Sequence, residues 1–120
     1  MIDLYGIPNC DTVKRARAWL DGQGVPYRFH DFKKEGVPAD ALRRWIAALG
    51  WEALVNRRGT TWRQLDAATR EGVVDADSAA RVLAANPSLV KRPVVEWAPG
   101  PQVTAGFDAQ AWQALAGRRG

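Results

Sequence analysis

The first part of the chain alternates between short apolar runs and one amphipathic stretch. Ile2, Leu4 and Tyr5 predict a short buried strand, and residues 6–9 predict the turn that follows it. From Asp11 onward, apolar residues recur at the spacing of one helix face. The inner face of this predicted helix consists of Val13, Ala16 and Leu20.

A second strand is predicted over residues 27–32, where aromatic and polar side chains alternate. Gly22 and Gly24 end the helix between the two strands. A strand, a helix and a second strand form a βαβ unit, which is right-handed and has parallel strands in nearly all proteins. The N-terminal part of the chain therefore predicts a parallel pair.

The middle of the chain predicts helices, without an internal repeat. Val37 and Pro38 open one helix, which Gly50 ends. Its side chains form a single apolar stripe, as expected of a helix that packs on a core. That stripe consists of Leu42, Trp45, Ile46 and Leu49.

After Gly50, a short helical piece is predicted from Trp51, followed by a polar break at residues 56–60. Thr61 and Gln64 then have the spacing of a capping box, which predicts the start of a new helix.

A further helix is predicted to begin at Asp77 or Ser78 and to end at Asn86 and Pro87. Its inward-facing residues are Ala79, Val82 and Leu83.

The C-terminal part predicts a hairpin and a last helix. Strands are predicted at residues 91–97 and 102–104, with a turn at residues 99–101 between them. Asp108 is predicted to cap the last helix, and residues 117–120 to fray. The inner face of that helix consists of Ala111, Trp112 and Leu115.

The order of these elements predicts an α/β fold with a thioredoxin-like mixed sheet: βαβ, a helical insertion at about residues 38–90, and ββα. Pro93 lacks an N–H for a strand ladder, so we expect it at an edge or at a strand entrance. With 120 residues and 47% apolar composition, the chain is predicted to form one domain over residues 1–120.

The net charge of +4 and the isoelectric point near 9.7 suit an anionic ligand. Basic residues occur in pairs rather than in long runs, which favours a local anion pocket over a nucleic-acid surface. No apolar segment is long enough to span a membrane, and the N-terminus lacks the features of a secretory signal. We therefore expect a cytoplasmic monomer that binds neither nucleic acid nor membrane.

Cys10, the only cysteine, is predicted at the N-cap of the first helix. The unpaired N–H groups and the positive dipole end of a helix favour a thiolate, so the position predicts a reactive cysteine. The alternative is that Cys10 is a small buried apolar residue. An intramolecular disulfide is excluded by the cysteine count, so a redox cycle would need a second thiol from another molecule.

The sequence gives weaker signals for histidine chemistry, for a metal site and for aromatic binding. His30, the only histidine, is interpreted as a structural residue of the second strand. One histidine and one cysteine do not predict a metal site. The tryptophans are explained by core packing, apart from Trp62, which follows the polar break and could border a site.

Three segments, YGIPNCDT, RGTTWRQLD and KRPVVEW, resemble the arsenate reductase-like family of thioredoxin-fold proteins, which also contains the Spx transcriptional regulators. Within it, the chain most resembles the small YffB-type proteins, regarded as glutathione-dependent thiol reductases. The resemblance extends over nearly the whole chain and implies a thiol–disulfide oxidoreductase.

The resemblance also implies roles for individual residues. In the glutathione-using arsenate reductases a cysteine at the first helix is the nucleophile and three arginines hold the oxyanion. Cys10 matches the nucleophile and Arg92 one arginine, while Asn56 stands at the second arginine position. The third position falls in residues 104–106, which lack an arginine, and so the match puts arsenate reduction in doubt. Val13 replaces the second cysteine of the Spx switch.

Together these observations predict a glutathione-dependent thiol reductase with no tightly bound cofactor. Glutathione, or another small thiol or anionic molecule, is the expected co-substrate, with glutaredoxin as a possible protein partner. Cys10 and Arg92 are the predicted catalytic residues. The predicted substrate-binding residues are Thr12, Lys14, Arg57, Arg58 and Pro93.

Three alternatives stay open. The chain could be a noncatalytic, Spx-like interaction protein, or an arsenate reductase. Arg57 and Arg58 could be a solvated surface pair with no binding role.

Overall fold

The computed structural model describes residues 1–97 and 102–117. The predicted turn at residues 99–101 lies outside them, as does the predicted frayed end except for Gly117, which closes the last helix. The strands are β1 (Ile2–Gly6), β2 (Tyr27–Asp31), β3 (Val94–Glu96) and β4 (Val103–Ala105). The helices are α1 (Asp11–Gly22), α2 (Phe32–Glu35), α3 (Ala39–Leu49), α4 (Trp51–Leu54), α5 (Thr60–Gln64), α6 (Ala67–Glu71), α7 (Ala76–Ala85) and α8 (Ala109–Gly117), with a 3₁₀ turn at Pro87–Leu89.

The four strands form one mixed sheet in the order β2-β1-β3-β4. β1 is parallel to β2, with Gly6 opposite Asp31, and antiparallel to β3, with Tyr5 opposite Val94. β3 and β4 are also antiparallel. The predicted α/β fold with a thioredoxin-like mixed sheet is therefore confirmed.

Contacts between residues divide the chain into two compact units. The sheet unit comprises Met1–Phe32 and Arg92–Gly120, and the helical unit comprises Lys33–Lys91. Whether the chain behaves as one domain stays a prediction.

The core of the sheet unit lies between β1, β3, α1 and α8. Val13, Ala16 and Leu20 are fully buried, as the helical spacing predicts. From the sheet and α8 come Ile2, Leu4, Val95, Trp97 and Trp112. Trp97 and Phe107 pack edge-on against Trp112, with ring centroids at 5.1 and 4.8 Å.

In the helical unit, the completely buried Trp45 lies on α3 and Leu83 on α7. Val55 forms a bridge with Val90, and the Asn56 N–H donates to the Leu89 carbonyl at 2.9 Å. This contact fixes the chain where α4 ends.

Two predicted helix starts are wrong. α7 begins one residue before Asp77, because the Asp75 carboxylate accepts a hydrogen bond from the Ser78 N–H at 2.8 Å while the Ser78 hydroxyl accepts from the Asp75 N–H. The capping box predicted at Thr61 is absent, since Thr61 lies inside α5 and Gly59 is its N-cap, without a side-chain cap.

Some element boundaries also differ from the prediction. The second strand ends at Asp31, and Phe32 opens the unpredicted α2. The predicted strand at residues 91–97 is reduced to β3, with Pro93 at its entrance rather than at a sheet edge. The unpredicted α6 occupies Ala67–Glu71.

α8 agrees with its predicted cap but not with all of its predicted inner face. The Asp108 carboxylate accepts from the Gln110 and Ala111 N–H groups at 3.0 and 3.2 Å. Trp112 is buried, but Ala111 is exposed, because it lies on the side of α8 that turns away from the core. No helix in residues 1–97 and 102–117 is long and apolar enough to cross a membrane.

Candidate functional site

The site is built where the chain leaves β1 and where it enters β3. Because Tyr5 pairs with Val94, the segment that follows β1 and the segment that precedes β3 leave the sheet at the same end. The first segment carries Cys10 and the second carries Arg92. The antiparallel register therefore places two residues together that are far apart in sequence.

Cys10 is the N-cap of α1, as predicted, with an extended backbone (φ −90°, ψ 126°). Its N–H donates to the Ile7 carbonyl at 3.2 Å, and its carbonyl accepts the first helical hydrogen bond, from the Lys14 N–H, at 2.9 Å. Cys10 is half-buried and packs against the core of the sheet unit. Cys10 is thus held by the fold while the residue stays partly exposed.

Gly6 explains how α1 can begin so close to the sheet. A Cβ atom at this position would lie 2.8 Å from a methyl carbon of Val13, which is closer than real Cβ contacts occur. Only glycine lets Val13 pack directly against the end of β1. This close approach positions the first turn of α1, and with it Cys10.

Burial and hydrogen bonding act in opposite directions on the thiol. Desolvation raises the pKa of Cys10, but the Val13 N–H, the charge and hydrogen bonding of the Arg92 guanidinium and the Thr12 N–H together bring that pKa below its ordinary value. The interaction with the helix amides falls short of a standard capping hydrogen bond. These amides still favour the thiolate, as they do at other helix N-termini.

Arg92 is half-buried and directly precedes Pro93, to which it is joined by a cis peptide bond. The buried Pro93 accepts a hydrogen bond at its carbonyl from the Gly106 N–H at 2.9 Å. The start of β3 is therefore tied to the residue that follows β4. This contact holds the segment that carries Arg92.

The other two predicted residues of α1 lie in its first turn. Thr12 is half-buried, its N–H faces the Cys10 sulfur, and its hydroxyl accepts a hydrogen bond from the Arg15 guanidinium at 3.5 Å. The side chain of Lys14 is exposed. The sheet unit thus brings Cys10, Thr12 and Arg92 together.

The predicted anion-binding residues Arg57 and Arg58 lie in the helical unit, in the turn between α4 and α5, and both are exposed. The Asn56 side-chain oxygen accepts from the Arg58 N–H at 3.3 Å. Asn56 therefore shapes the turn, at the position where the resembled family has an arginine.

The Arg57 guanidinium carbon lies 5.8 Å from the ring centroid of Trp51 and 5.6 Å from that of Trp62. Sequence reasoning singled out Trp62 but missed Trp51. The signal was present as a tryptophan on each side of the polar break.

The region where the resembled family has its third arginine has structural roles here. The Thr104 hydroxyl accepts a hydrogen bond from the Trp97 indole N–H at 3.0 Å. Gly106 has a positive φ of 86°, a conformation that favours glycine. Neither residue offers a guanidinium to an anion.

His30 belongs to a polar network of the sheet. Its Nε2 lies 2.9 Å from the Asp3 carboxylate, which also accepts two hydrogen bonds from Arg28, at 2.8 and 3.2 Å. Its ring stacks on Tyr5 with centroids 4.4 Å apart. These contacts agree with a structural interpretation of His30. In residues 1–97 and 102–117, no group of three His, Cys, Asp or Glu side chains could hold a metal ion.

Comparison with known proteins gives consistent matches. A solved structure of a protein named YffB is 44% identical and superposes with a TM-score of 0.90, covering 97% of this chain and 99% of that one. An arsenate reductase (ArsC) related protein from Brucella melitensis is 46% identical, with a TM-score of 0.73 and coverage of 94% and 92%. The global transcriptional regulator Spx of Listeria innocua is 26% identical over 102 residues, which is 79% of this chain and 72% of Spx.

The model of the ArsC family matches residues 5–115. This match contains Cys10, Arg92 and every strand of the sheet except the first residues of β1. The resemblance to YffB-type proteins is confirmed by the close superposition with the YffB structure. The chain belongs to the ArsC family.

Proposed function

We propose that this protein is a glutathione-dependent thiol reductase that uses Cys10 as its only redox-active thiol. The observation that carries the proposal is the position of Cys10: at the N-cap of α1, half-buried, and next to the Arg92 guanidinium. The lowered pKa of Cys10, which results from the Val13 and Thr12 N–H groups and Arg92 outweighing desolvation, increases the thiolate fraction at neutral pH.

The cycle has two exchange steps. In the first, the Cys10 thiolate attacks one sulfur of a disulfide substrate. The substrate S–S bond breaks, a mixed disulfide with Cys10 forms, and the other sulfur leaves as a thiolate that takes a proton from solvent. In the second, a glutathione thiolate attacks the substrate sulfur of this adduct. Cys10 then leaves as a thiolate, and the released product is a disulfide between glutathione and the substrate half.

The residues around Cys10 have distinct roles in this cycle. Arg92 stabilises the Cys10 thiolate before attack and as a leaving group, and its guanidinium can also bind a carboxylate of glutathione. The Thr12 N–H stabilises the same thiolate. Pro93 has no N–H and its carbonyl accepts from Gly106, so pairing with the glutathione backbone is assigned to the backbone of residue 92.

The roles of Lys14, Arg57 and Arg58 in substrate binding stay predictions. So does glutaredoxin as a protein partner. A cytoplasmic location suits the cycle, because glutathione keeps thiols reduced there.

Arsenate reduction is less well supported. Asn56 and residues 104–106 shape the backbone at the positions of two of the three family arginines. Without those guanidiniums an oxyanion loses bidentate partners. We therefore expect little or no arsenate turnover in the presence of glutathione and glutaredoxin.

The proposal is tested with the mixed disulfide of glutathione and mercaptoethanol as substrate. Glutathione is the reductant, and glutathione reductase couples product formation to NADPH oxidation. The wild type is expected to turn over and to form a single glutathionyl adduct detectable by mass spectrometry. Cys10→Ser is expected to do neither.

Arg92→Met and Arg92→Lys are the informative variants, and Arg15→Gln is the matched control on the first turns of α1. Arg92→Met should lower turnover more than Arg92→Lys, which keeps the charge. Arg15→Gln should behave like the wild type. If the wild type forms no adduct and its Cys10 titrates like a free thiol, the enzyme proposal is wrong and a noncatalytic interaction protein becomes the better description.

A further inference from the structure

The turn between α4 and α5 concentrates positive charge. Residues 56–65 contain Arg57, Arg58 and Arg63 and no acidic residue. Within the described ranges 1–97 and 102–117, no carboxylate lies at ion-pair distance from any of these three guanidiniums. Within the described ranges these three arginines therefore form no direct ion pair, and the acidic residues nearest to them in sequence are Glu52 and Asp66.

The backbone of this turn is fixed by its own contacts. The Asn56 N–H binds the Leu89 carbonyl, and the Asn56 side chain accepts from the Arg58 N–H. Gly59 packs so closely on Asn56 that a Cβ atom at position 59 would lie 2.8 Å from the side-chain nitrogen Nδ2 of Asn56. Arg57 and Arg58 thus project from a defined turn, and Arg63 projects from α5, which follows it.

Two of the arginine side chains are also held by contacts, Arg57 in the turn and Arg63 on α5. The Arg57 guanidinium lies over the half-buried indoles of both Trp51 and Trp62, at distances typical of cation–π contacts. The Arg63 guanidinium donates to the Arg58 carbonyl at 3.3 Å. Because these guanidiniums are already held, a ligand would order fewer rotamers when it binds them.

We propose that Trp51, Arg57, Arg58, Trp62 and Arg63, the arginine–tryptophan surface, bind an acidic segment of a partner protein. Arginine and tryptophan are the residue types enriched in binding hot spots. Guanidiniums form bidentate hydrogen bonds with the carboxylates of Asp and Glu. The half-buried indoles supply apolar contact beside those charges.

Charge alone would also suit a nucleic acid, but the geometry favours a protein. Binding of single strands relies on open aromatic faces on which bases stack. Here the two indoles are engaged by Arg57. Three arginines also make a smaller electrostatic footprint than the six or more phosphate contacts typical of DNA-binding proteins.

This proposal is independent of the thiol chemistry, because none of its five residues takes part in the exchange steps. It gives Arg57 and Arg58 an acidic protein partner in place of the small substrate that the sequence predicts for them.

The test uses the full chain labelled with ¹⁵N. The indole N–H signals of Trp51 and Trp62 are identified with Trp51→Phe and Trp62→Phe. A short peptide of alternating glutamate and leucine is titrated into the protein at low ionic strength, and a peptide with glutamine in place of glutamate is titrated as a control. Saturable shifts at both indoles and at the amides of residues 57–63 are expected only with the glutamate peptide. They should weaken as salt is added.

Arg57→Gln should weaken binding of the glutamate peptide about tenfold, as loss of a hot-spot residue does. Arg57→Lys should weaken it less, and the matched control Arg81→Gln, an exposed arginine of α7, should not weaken it. The proposal is overturned if no saturable shifts occur, if the glutamine peptide binds equally well, or if Arg81→Gln has the effect of Arg57→Gln. Tighter binding of oligothymidylate, citrate or glutathione to the same indoles would also overturn it.

Discussion

Cys10 shows how competing local effects decide the state of one thiol. Its partial burial against the core raises the pKa, yet the opposing contribution of the Val13 and Thr12 N–H groups and Arg92 is larger. Two of these three sources are backbone N–H groups, which any residue except proline would supply at position 12 or 13. Arg92 is the one whose side chain can be changed without altering the helix.

Replacing Arg92 with Met should raise the pKa of Cys10, because the guanidinium charge and its hydrogen bond to the sulfur are removed while the desolvation stays. Since the thiolate is the nucleophile, alkylation by iodoacetamide at neutral pH should slow several-fold. The pH dependence of this rate gives the pKa directly. Arg15→Gln removes a cation near the start of α1 and should leave the profile unchanged. Equal shifts in both variants would show that Arg92 acts only through the general charge of the chain.

The same lowered pKa predicts a pH-dependent stability. Burial raises the pKa of Cys10, but the amides and Arg92 lower it by more than burial raises it. The folded state therefore binds the thiol proton more weakly than the unfolded chain does. The stabilisation is fully present above the unfolded pKa of about 8.5 and is lost as pH falls through the folded value. Urea unfolding of the wild type relative to Cys10→Ser should show this gain with rising pH. If the stability difference between the wild type and Cys10→Ser does not change between the folded and unfolded pKa values, this prediction is wrong.

At the scale of elements, α1 and β1 could be predicted because their periodic patterns are long enough to be distinctive. α2 and α6 could not, because a helix of one turn has too few residues to show a period. The real capping box has Ser78 where the usual pattern has Glu or Gln, whereas Thr61 and Gln64 match that pattern inside a helix. β3 is short because Pro93 ends the ladder at its entrance.

In the candidate site, too, some features could be predicted from the sequence and others could not. Cys10 could be predicted because an N-cap is a local feature of the sequence. The role of Arg92 came from the resemblance to a family, because its proximity to Cys10 depends on the pairing of β1 with β3, which no local pattern predicts. The contacts of Arg57 with Trp51 and Trp62 depend on how α4, α5 and the turn between them fold. No periodicity encodes such a contact.

The cap of α8 gives a prediction for a single element. The Asp108 carboxylate accepts hydrogen bonds from two N–H groups of the first turn, and Trp112, one turn later, is fully buried. Asp108→Ala should lower the free energy of unfolding by about 1 kcal/mol. Asp108→Asn keeps an acceptor and should cost much less. Denaturant unfolding measures both, and equal losses in the two variants would show that the cap is not what stabilises α8.

At the scale of the whole molecule, the helical unit interrupts the sheet unit in sequence. Asp31 at the end of β2 pairs with Gly6, and Val94 at the start of β3 pairs with Tyr5, so both ends of the insertion leave the sheet beside the same end of β1. Pairing β3 with β1 therefore closes a loop formed by residues 33–91. Closing an unfolded loop of this length costs more conformational entropy than closing a folded one whose ends are already held. Folding of the helical unit should thus favour pairing of the sheet.

Leu83→Ala tests whether this coupling makes the chain one cooperative domain. Leu83 is completely buried on α7, and its truncation should cost about 2–5 kcal/mol. If the chain unfolds as one domain, hydrogen exchange should accelerate at the amides of β1 and β3 as well as at those of α7, since small domains unfold in one transition. Val74→Ala, at a residue that is 68% exposed, should change neither the free energy of unfolding nor the exchange rates. Faster exchange confined to the helical unit would mean that the sheet unit is stable without it and that the chain contains two domains.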